Sequence, residues 1–229
     1  MDFYVLNPEL EQQITEIRRK IKLSMNGVVS EQMERNGIVY KQNYGVSIPR
    51  LREIASLYAK NHDLAQRLWA LHIRETMILA TLLEPEEKAT IQLAEQWMKD
   101  VNQIELVEQI CMNLFSKASF AEMLCFRFIQ SGQDIWKQIT GFTLSARIYQ
   151  QLSQDTIKTI VSEGIKNSDT DNLFLYKSIA LSLSRLLRAG EDAAKYILKE
   201  IEPISSSNIN SQKYICHEVK EEALFLNIL

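Results

Sequence analysis

Apolar residues recur along this chain three and four positions apart, the spacing that places side chains on one face of an α-helix. The first such stripe follows the pair Asn7-Pro8 and consists of Leu10, Ile14, Ile17 and Ile21. Asparagine favours the cap position and proline the first turn, so a helix is predicted to begin at residue 8. No segment shows the alternation of a convincing β-strand. The pattern predicts helices over residues 8–26, 30–36, 49–60, 63–72, 74–83, 86–99, 102–116, 119–131, 135–150, 154–166, 171–188, 191–201 and 211–226.

Two of these helix starts are predicted from capping boxes, in which a polar cap residue is followed three positions later by a glutamate. The boxes are Asn102-x-x-Glu105 and Ser119-x-x-Glu122. One helix end is predicted before Gly190, because glycine is favoured just past a helix C-terminus and two arginines precede it.

Several predicted helices are apolar on more than one face, as at Ile78–Leu83, Leu114–Phe128 and Ile179–Leu187. Such helices suit inner positions between neighbouring helices. Helical pairs recur at intervals of about 35–45 residues, the size of HEAT-type repeats. No linker rich in Gly, Ser or Pro divides the chain. We therefore predict an all-α solenoid of degenerate HEAT-like repeats that forms a single domain over residues 1–229.

Composition narrows the class of protein. Seven Gly and four Pro in 229 residues are too few for a barrel or sandwich with many tight turns. The three cysteines form no C-x-x-C pair, which favours a reducing compartment over a disulfide framework. Met1–Leu6 carries no basic residue, and no apolar run approaches the ~20 residues that span a bilayer. A soluble, cytoplasmic protein, monomeric and without a membrane partner, is expected.

No cofactor and no metal are expected. The chain has no Gly-rich phosphate loop, and His62, His72 and His217 lack a metal-ligand spacing such as H-E-x-x-H. These histidines are predicted to be surface or packing residues. Cys111 and Cys125 fall on apolar faces and are predicted to be small core residues.

Charge is nearly balanced overall but uneven along the chain. The net charge is −3, from 26 basic and 29 acidic residues, which by itself does not indicate a polyanion partner. Basic residues predominate between Arg18 and Arg74, and acidic residues between Glu84 and Asp134. Single clusters of this kind are typical of solvated helix faces. An asymmetric electrostatic face is the second interpretation.

A series of landmarks occurs in order: a glycine-valine-proline entry to a helix in Tyr44–Ala55, then Leu68-Trp69, Ile73–Ala80 and the run Cys111–Phe115. Together they resemble the AlkD-like DNA alkylation repair proteins, which are HEAT-like repeat alkylpurine DNA glycosylases. The similarity extends over about residues 41–199. It implies a right-handed α-α superhelix whose concave channel holds duplex DNA, and hydrolysis of the N-glycosidic bond of 3-methyladenine- or 7-methylguanine-type bases.

The implied chemistry needs few groups. A base alkylated at a ring nitrogen is already positive and leaves without a general acid, so the protein must stabilise the sugar cation and position water. A carboxylate serves both purposes, and aromatic faces add cation–π attraction. The resemblance implies a tryptophan and an aspartate one helical turn apart, with a second tryptophan on a later helix. Alignment through the Cys111–Phe115 run places Ile104 and Glu108 at the first two positions. Alignment of Lys177–Leu183 with the later helix places Leu181 at the third.

The chain therefore keeps a carboxylate, one methylene longer, and loses both aromatic groups. Two arginines of the family pattern are also replaced, by Ile139 and by Ser184, although Arg185 could take the second role. Glu108 has two open interpretations. It is a buried acid with a pKa raised by desolvation, or an acid at the edge of its apolar stripe that reaches solvent or a lysine.

The remaining candidate residues follow from charge and aromatic character. Trp69, Trp97 and Trp136 are predicted mainly as packing anchors, with Trp69 also a candidate channel residue beside the base, together with Ile104 and Leu181. The candidate contacts to the DNA backbone are Arg50, Arg52, Arg74, Lys177, Arg185 and Arg188.

Two classes of function follow. The first is a DNA alkylation repair-like protein that binds duplex or branched DNA in a concave channel, with Glu108 as catalytic residue and weak or absent glycosylase activity. The alternative is a non-catalytic HEAT-repeat scaffold with a protein partner in the groove.

Overall fold

The computed structural model describes residues 7–132 and 134–228. Every regular element in these ranges is helical, which confirms the predicted all-α class. The chain divides into two compact units, Met1–Leu114 and Phe115–Leu229. The single domain expected over residues 1–229 stays a prediction.

In the first unit, α3, α5 and α7 pack side by side, while α4 packs against α5, and α1 against α3 and α4. The middle helix α5 is buried around nearly its whole circumference, as the apolar run at Ile78–Leu83 predicted. The described helices of this unit are α1 (Pro8–Leu23), α2 (Gly27–Arg35), α3 (Ile48–Ala55), α4 (His62–Ala70), α5 (Arg74–Leu83), α6 (Ile91–Met98) and α7 (Ile104–Asn113), with a 3-10 turn at Glu86–Lys88.

Helix α1 forms as its sequence predicts. The side-chain oxygen of Asn7 accepts hydrogen bonds from the backbone N–H groups of Glu9 and Leu10 at 3.1 and 3.3 Å. This cap satisfies two N–H groups that have no partner within the helix. The predicted stripe is the buried face of the helix: Leu10, Ile14, Ile17 and Ile21.

In the second unit, α9, α11 and α13 pack side by side in one layer, and α8, α10 and α12 form the other. Helices α9 and α11 begin 38 residues apart, within the predicted repeat interval. The described helices of this unit are α8 (Ala121–Ile129), α9 (Ile135–Ile148), α10 (Gln154–Lys166), α11 (Leu173–Leu186), α12 (Glu191–Ser205) and α13 (Asn210–Phe225), with 3-10 turns at Phe115–Lys117, Tyr149–Gln151 and Leu187–Ala189.

Both predicted capping boxes are wrong. Helix α7 begins at Ile104 after Gln103, and α8 begins at Ala121 after Phe120, in each case without a side-chain cap. The two glutamates have other partners. Glu105 binds Arg74, and Glu122 accepts a hydrogen bond from the backbone N–H of Ser153 at 2.9 Å. Tertiary contacts therefore outcompete the local cap.

The predicted helix over 86–99 is also interrupted. The 3-10 turn ends before Thr90, whose hydroxyl accepts a hydrogen bond from the backbone N–H of Leu93 at 3.1 Å and caps α6. Extended backbone at Ala89 and Thr90 separates the two elements. Asn26 likewise caps α2 earlier than predicted, by accepting from the N–H of Val29 at 3.2 Å.

Candidate nucleic-acid interface

The candidate acid Glu108 lies on an exposed face of α7. Ile104, Glu108 and Met112 are four residues apart and therefore share this face. Glu108 is exposed and its two neighbours are partly exposed, whereas Cys111 is fully buried. The carboxylate therefore lies at the edge of the apolar stripe and contacts solvent. The alternative interpretation, a buried acid, is wrong.

A guanidinium group reaches the same face from α3. The Arg52 Nη2 atom donates to the Met112 sulfur at 3.5 Å. A thioether is a weak acceptor, so this contact leaves the guanidinium well able to bind a phosphate oxygen. Arg50 is half exposed and bonds to Ser24 Oγ at 3.1 Å and Glu53 Oε2 at 2.7 Å. Both arginines remain surface candidates for backbone contacts.

Arg74 is not a surface residue, which corrects its assignment as a phosphate contact. Its guanidinium makes paired hydrogen bonds to the Glu105 carboxylate at 2.6 and 2.7 Å. It also donates to Glu75 Oε1 and to the carbonyl oxygen of Val46, both at 2.9 Å. Only 3% of Arg74 is exposed. Its donors are directed at internal acceptors, and a phosphate cannot reach them.

Arg74, Glu75 and Glu105, here called the Arg74 cluster, instead hold the segment before α3 in place. The buried Glu75 carboxylate accepts hydrogen bonds from the backbone N–H groups of Tyr44 and Val46 at 3.2 Å. The Tyr40 hydroxyl donates to Glu105 at 3.2 Å. Burial, followed by the charge of Glu105, raises the pKa of Tyr40 well above its usual value. The ring therefore stays neutral and acts as a donor.

Trp69 is a packing residue, which corrects its assignment as a base-facing candidate. Its ring stacks on Trp97 with centroids 4.2 Å apart and planes 5° from parallel. Its indole N–H donates to Asp100 Oδ2 at 2.8 Å, and that of Trp97 donates to Gln66 Oε1 at 3.1 Å. Trp69 is 4% exposed and Trp97 is fully buried, so neither offers a free ring face. The predicted role as packing anchors is confirmed for both.

In the second unit, the candidates on α11 form one stripe. Lys177, Leu181 and Arg185 are four residues apart and all exposed, with 44% of Leu181 accessible. Leu181 therefore lies on the same surface as the two cations. An aliphatic side chain stands where the resemblance implied a tryptophan, and the role of these three residues stays a prediction.

A groove of about 460 Å³ separates this stripe from α13, and its far side is acidic. Glu218, Glu221 and Glu222 face the stripe, together with Tyr214 and Phe225. The last predicted backbone contact, Arg188, donates to Glu222 Oε1 at 2.6 Å. Its guanidinium also lies 5.9 Å from the centre of the Phe225 ring.

The sequence pattern did not single out two surface residues, Phe174 and Arg147. Phe174, 38% exposed, contacts the partly exposed Trp136 with ring centroids 5.9 Å apart. Trp136 therefore differs from the other two tryptophans. Arg147 is exposed near the end of α9, as Arg185 is on α11. The 38-residue repeat could have revealed both, because it relates Trp136 to Phe174 and Arg147 to Arg185.

The described residues contain no group of three or more His, Cys, Asp and Glu side chains that could hold a metal ion. Cys111, Cys125 and Cys216 are buried, which confirms the core position predicted for the first two. None of the described helices combines the length and hydrophobicity that crossing a bilayer requires.

A family model described as DNA alkylation repair enzyme matches residues 17–197. The chain belongs to this family. No curated protein matches the sequence. A solved structure is similar at a TM-score of 0.74 with 14% identity, covering 90% of this chain and 94% of that one. It is described as representing a new family of proteins related to the HEAT-like repeat DNA glycosylases with affinity for branched DNA structures. The likeness confirms the HEAT-like repeat fold for this DNA alkylation repair family member.

Proposed function

We propose that this family member binds duplex or branched DNA through exposed helix faces in each unit, those of α3 and α7 in the first and that of α11 in the second, and that it excises alkylated purines slowly or not at all. The observation that carries the proposal is the setting of Glu108. Its carboxylate is exposed, and its neighbours on the helix face are Ile104 and Met112. Glu108 therefore supplies a carboxylate for base excision, but its exposed, non-aromatic surroundings favour only slow catalysis.

Three physical effects weaken catalysis at this position. A carboxylate in contact with water stabilises a developing sugar cation less than one in a desolvated pocket. Neither Ile104 nor Leu181 supplies the aromatic face that attracts a cationic base, a contact of about 0.5–2 kcal/mol. The extra methylene of glutamate also displaces the charge, and misplacement by about 1 Å can cost about a hundredfold in rate.

DNA binding is supported by the exposed cations. Arg52, Lys177 and Arg185 are accessible side chains on the faces that carry Glu108 or Leu181. Phosphate contacts of this kind supply most of sequence-independent affinity. The solved structure of the same fold represents a family with affinity for branched DNA structures. This supports branched DNA as a ligand of the present protein.

The proposal is tested by measuring affinity for a plain duplex, a fork and a four-way junction across a salt series. We expect log affinity to fall linearly with log salt, with a slope of about −0.9 for each phosphate neutralised. Arg52→Glu and Lys177→Glu should each weaken binding and flatten that slope. The control is Lys158→Glu on α10, in the other helical layer, which should change neither the affinity nor the salt slope.

A second candidate is a protein-binding scaffold, and the acidic side of the α11–α13 groove favours it. Glu218 and Glu221 are exposed there beside Phe225, which is 74% exposed. A basic amphipathic segment of a partner would suit this surface. Absence of binding to all three DNA forms at low salt would favour the scaffold.

A further inference from the structure

Helices α9 and α11 form a seam with a defined register. They run parallel, because Trp136 contacts Phe174 near their first residues and Ser145 bonds to Ser182 further along. The Ser145 and Ser182 hydroxyl oxygens are 2.6 Å apart. The 3-10 turns that follow the two helices also pack together. Corresponding residues of the two helices are therefore neighbours along the whole seam.

The two ends of this seam have different chemistry. At the start, Trp136 and Phe174 present two partly exposed rings inclined by 32°. Eleven residues later, Arg147 and Arg185 are exposed. Eleven residues are close to three full turns, so each arginine lies on the same face as the ring of its own helix, about 16 Å further along.

Cations are available along the seam. Among the described residues, Arg147 and Arg185 form no ion pair. Lys177 lies between the rings and Arg185, with its Nζ 6.0 Å from the centre of the Tyr214 ring. The contact between the two helices includes the buried hydroxyl groups of Ser145 and Ser182. The seam therefore combines aromatic faces at one end with guanidinium groups at the other.

We propose that the α9–α11 seam binds a single-stranded segment of DNA, with an unpaired base on the Trp136–Phe174 rings and backbone phosphates on Arg147, Arg185 and Lys177. This inference rests on the proposed DNA-binding function and names the part of a branched substrate that the second unit recognises. Aromatic rings beside a cationic track are the features with which proteins hold single strands without sequence preference.

Duplex DNA does not use this arrangement fully, because its bases are paired and stacked and offer no free face to a ring. The acidic residues define the path of the strand. Glu218 and Glu221 repel phosphates from the α13 side, so the strand lies towards α9. Glu221→Gln, which removes one of these charges, should therefore tighten single-strand binding.

The tryptophans provide a direct test. Trp69 and Trp97 are buried and stacked on each other, whereas water reaches Trp136. Titration with an oligothymidine longer than about 16 nucleotides, the upper end of single-module site sizes, should quench tryptophan fluorescence. Trp136→Phe should abolish the quenching while retaining most of the affinity. Trp136→Ala should lower single-strand affinity by about 5- to 100-fold, the range expected for one lost stacking contact.

Phenylalanine offers a matched control. Phe174 is 38% exposed in the seam, and Phe126 is 39% exposed on α8 in the other layer. Phe174→Ala should weaken single-strand and fork binding but leave plain duplex binding within about twofold, whereas Phe126→Ala should change none of them. Circular dichroism of each variant shows that the helices are retained.

Specific outcomes overturn the inference. If wild type binds duplex but not oligothymidine, the seam proposal fails and the DNA-binding proposal stands. If oligothymidine binds equally to wild type, Trp136→Ala and Phe174→Ala, the strand lies elsewhere and the proposal also fails. If no DNA form binds at low salt, both proposals fail together.

Discussion

The Ser145 and Ser182 hydroxyl oxygens lie 2.6 Å apart in the fully buried contact between α9 and α11. Ser145 Oγ also lies 2.7 Å from the carbonyl oxygen of Phe142, to which it donates. A hydroxyl has one proton, so Ser182 must be the donor to Ser145. This bond holds the register on which the seam depends.

Removing the acceptor should leave a buried donor unsatisfied. We expect Ser145→Ala to lower the free energy of unfolding by about 1–3 kcal/mol, measured by urea denaturation. Ser145→Ala/Ser182→Ala should cost less than the sum of the two single changes, because no hydroxyl is then left without its partner. Additive single effects would contradict the shared bond.

The buried Glu84 predicts a pH dependence of stability. Its carboxylate is 2.6 Å from His62 Nδ1 and accepts from Gln66 Nε2 at 2.9 Å. Burial is the largest influence and raises the pKa of Glu84 above the usual 4.5. The folded protein therefore holds this proton more tightly than the unfolded chain does. The contribution of Glu84 to the free energy of unfolding is therefore fully present below pH 4.5 and is lost as the pH rises through its pKa in the folded protein.

Glu84→Gln retains a neutral side chain and should remove this contribution to the pH dependence. Urea midpoints measured from about pH 4 to 8 should decline less with rising pH than those of wild type. The exposed Glu53→Gln is the control, and its pH profile should follow wild type. Identical profiles for Glu84→Gln and wild type would show that Glu84 does not titrate in this range.

Substitution of Arg74 should lower stability, whereas substitution of Arg52 should weaken DNA binding. Arg74→Ala leaves Glu75 and Glu105 without their cation, and we expect a loss of about 3–5 kcal/mol in the free energy of unfolding. The exposed Arg52→Ala should change it by no more than about 0.5 kcal/mol, while it weakens DNA binding. Chemical denaturation measures the free energy of unfolding of both variants, and fluorescence anisotropy measures DNA binding by Arg52→Ala. Equal stability of the two variants would refute the buried role of Arg74.

Base excision should be slow or absent in wild type, and Glu108 should carry any activity. The measurement is release of 7-methylguanine from duplex DNA by wild type, Glu108→Gln and the triple variant Ile104→Trp/Glu108→Asp/Leu181→Trp. Glu108→Gln should abolish whatever rate wild type has, and the triple variant should raise it because aromatic faces and the shorter acid are restored. Unchanged activity in Glu108→Gln would remove that residue from the mechanism.

Local pattern predicted the fold well where local forces dominate. The stripe of α1 and its Asn7 cap are as expected, since the cap bonds only to N–H groups of its own first turn and the apolar spacing within the helix decides which face can be buried. The box at Asn102 failed because Glu105 has a stronger partner, a guanidinium that is distant in sequence and adjacent in space. A local motif holds only when no tertiary contact competes for the same group.

The sequence by itself determined the helical repeat class, through its apolar periodicity, and the candidate acid at residue 108, through its resemblance to a family. Tertiary structure alone decided which charges and rings are available. Arg74 and Arg52 are the same residue type only 22 positions apart, yet one is enclosed by two carboxylates and the other is in solvent. Trp69 and Trp136 differ in the same way. Exposure depends on which helices pack across each side chain, and those contacts join residues that no local pattern connects.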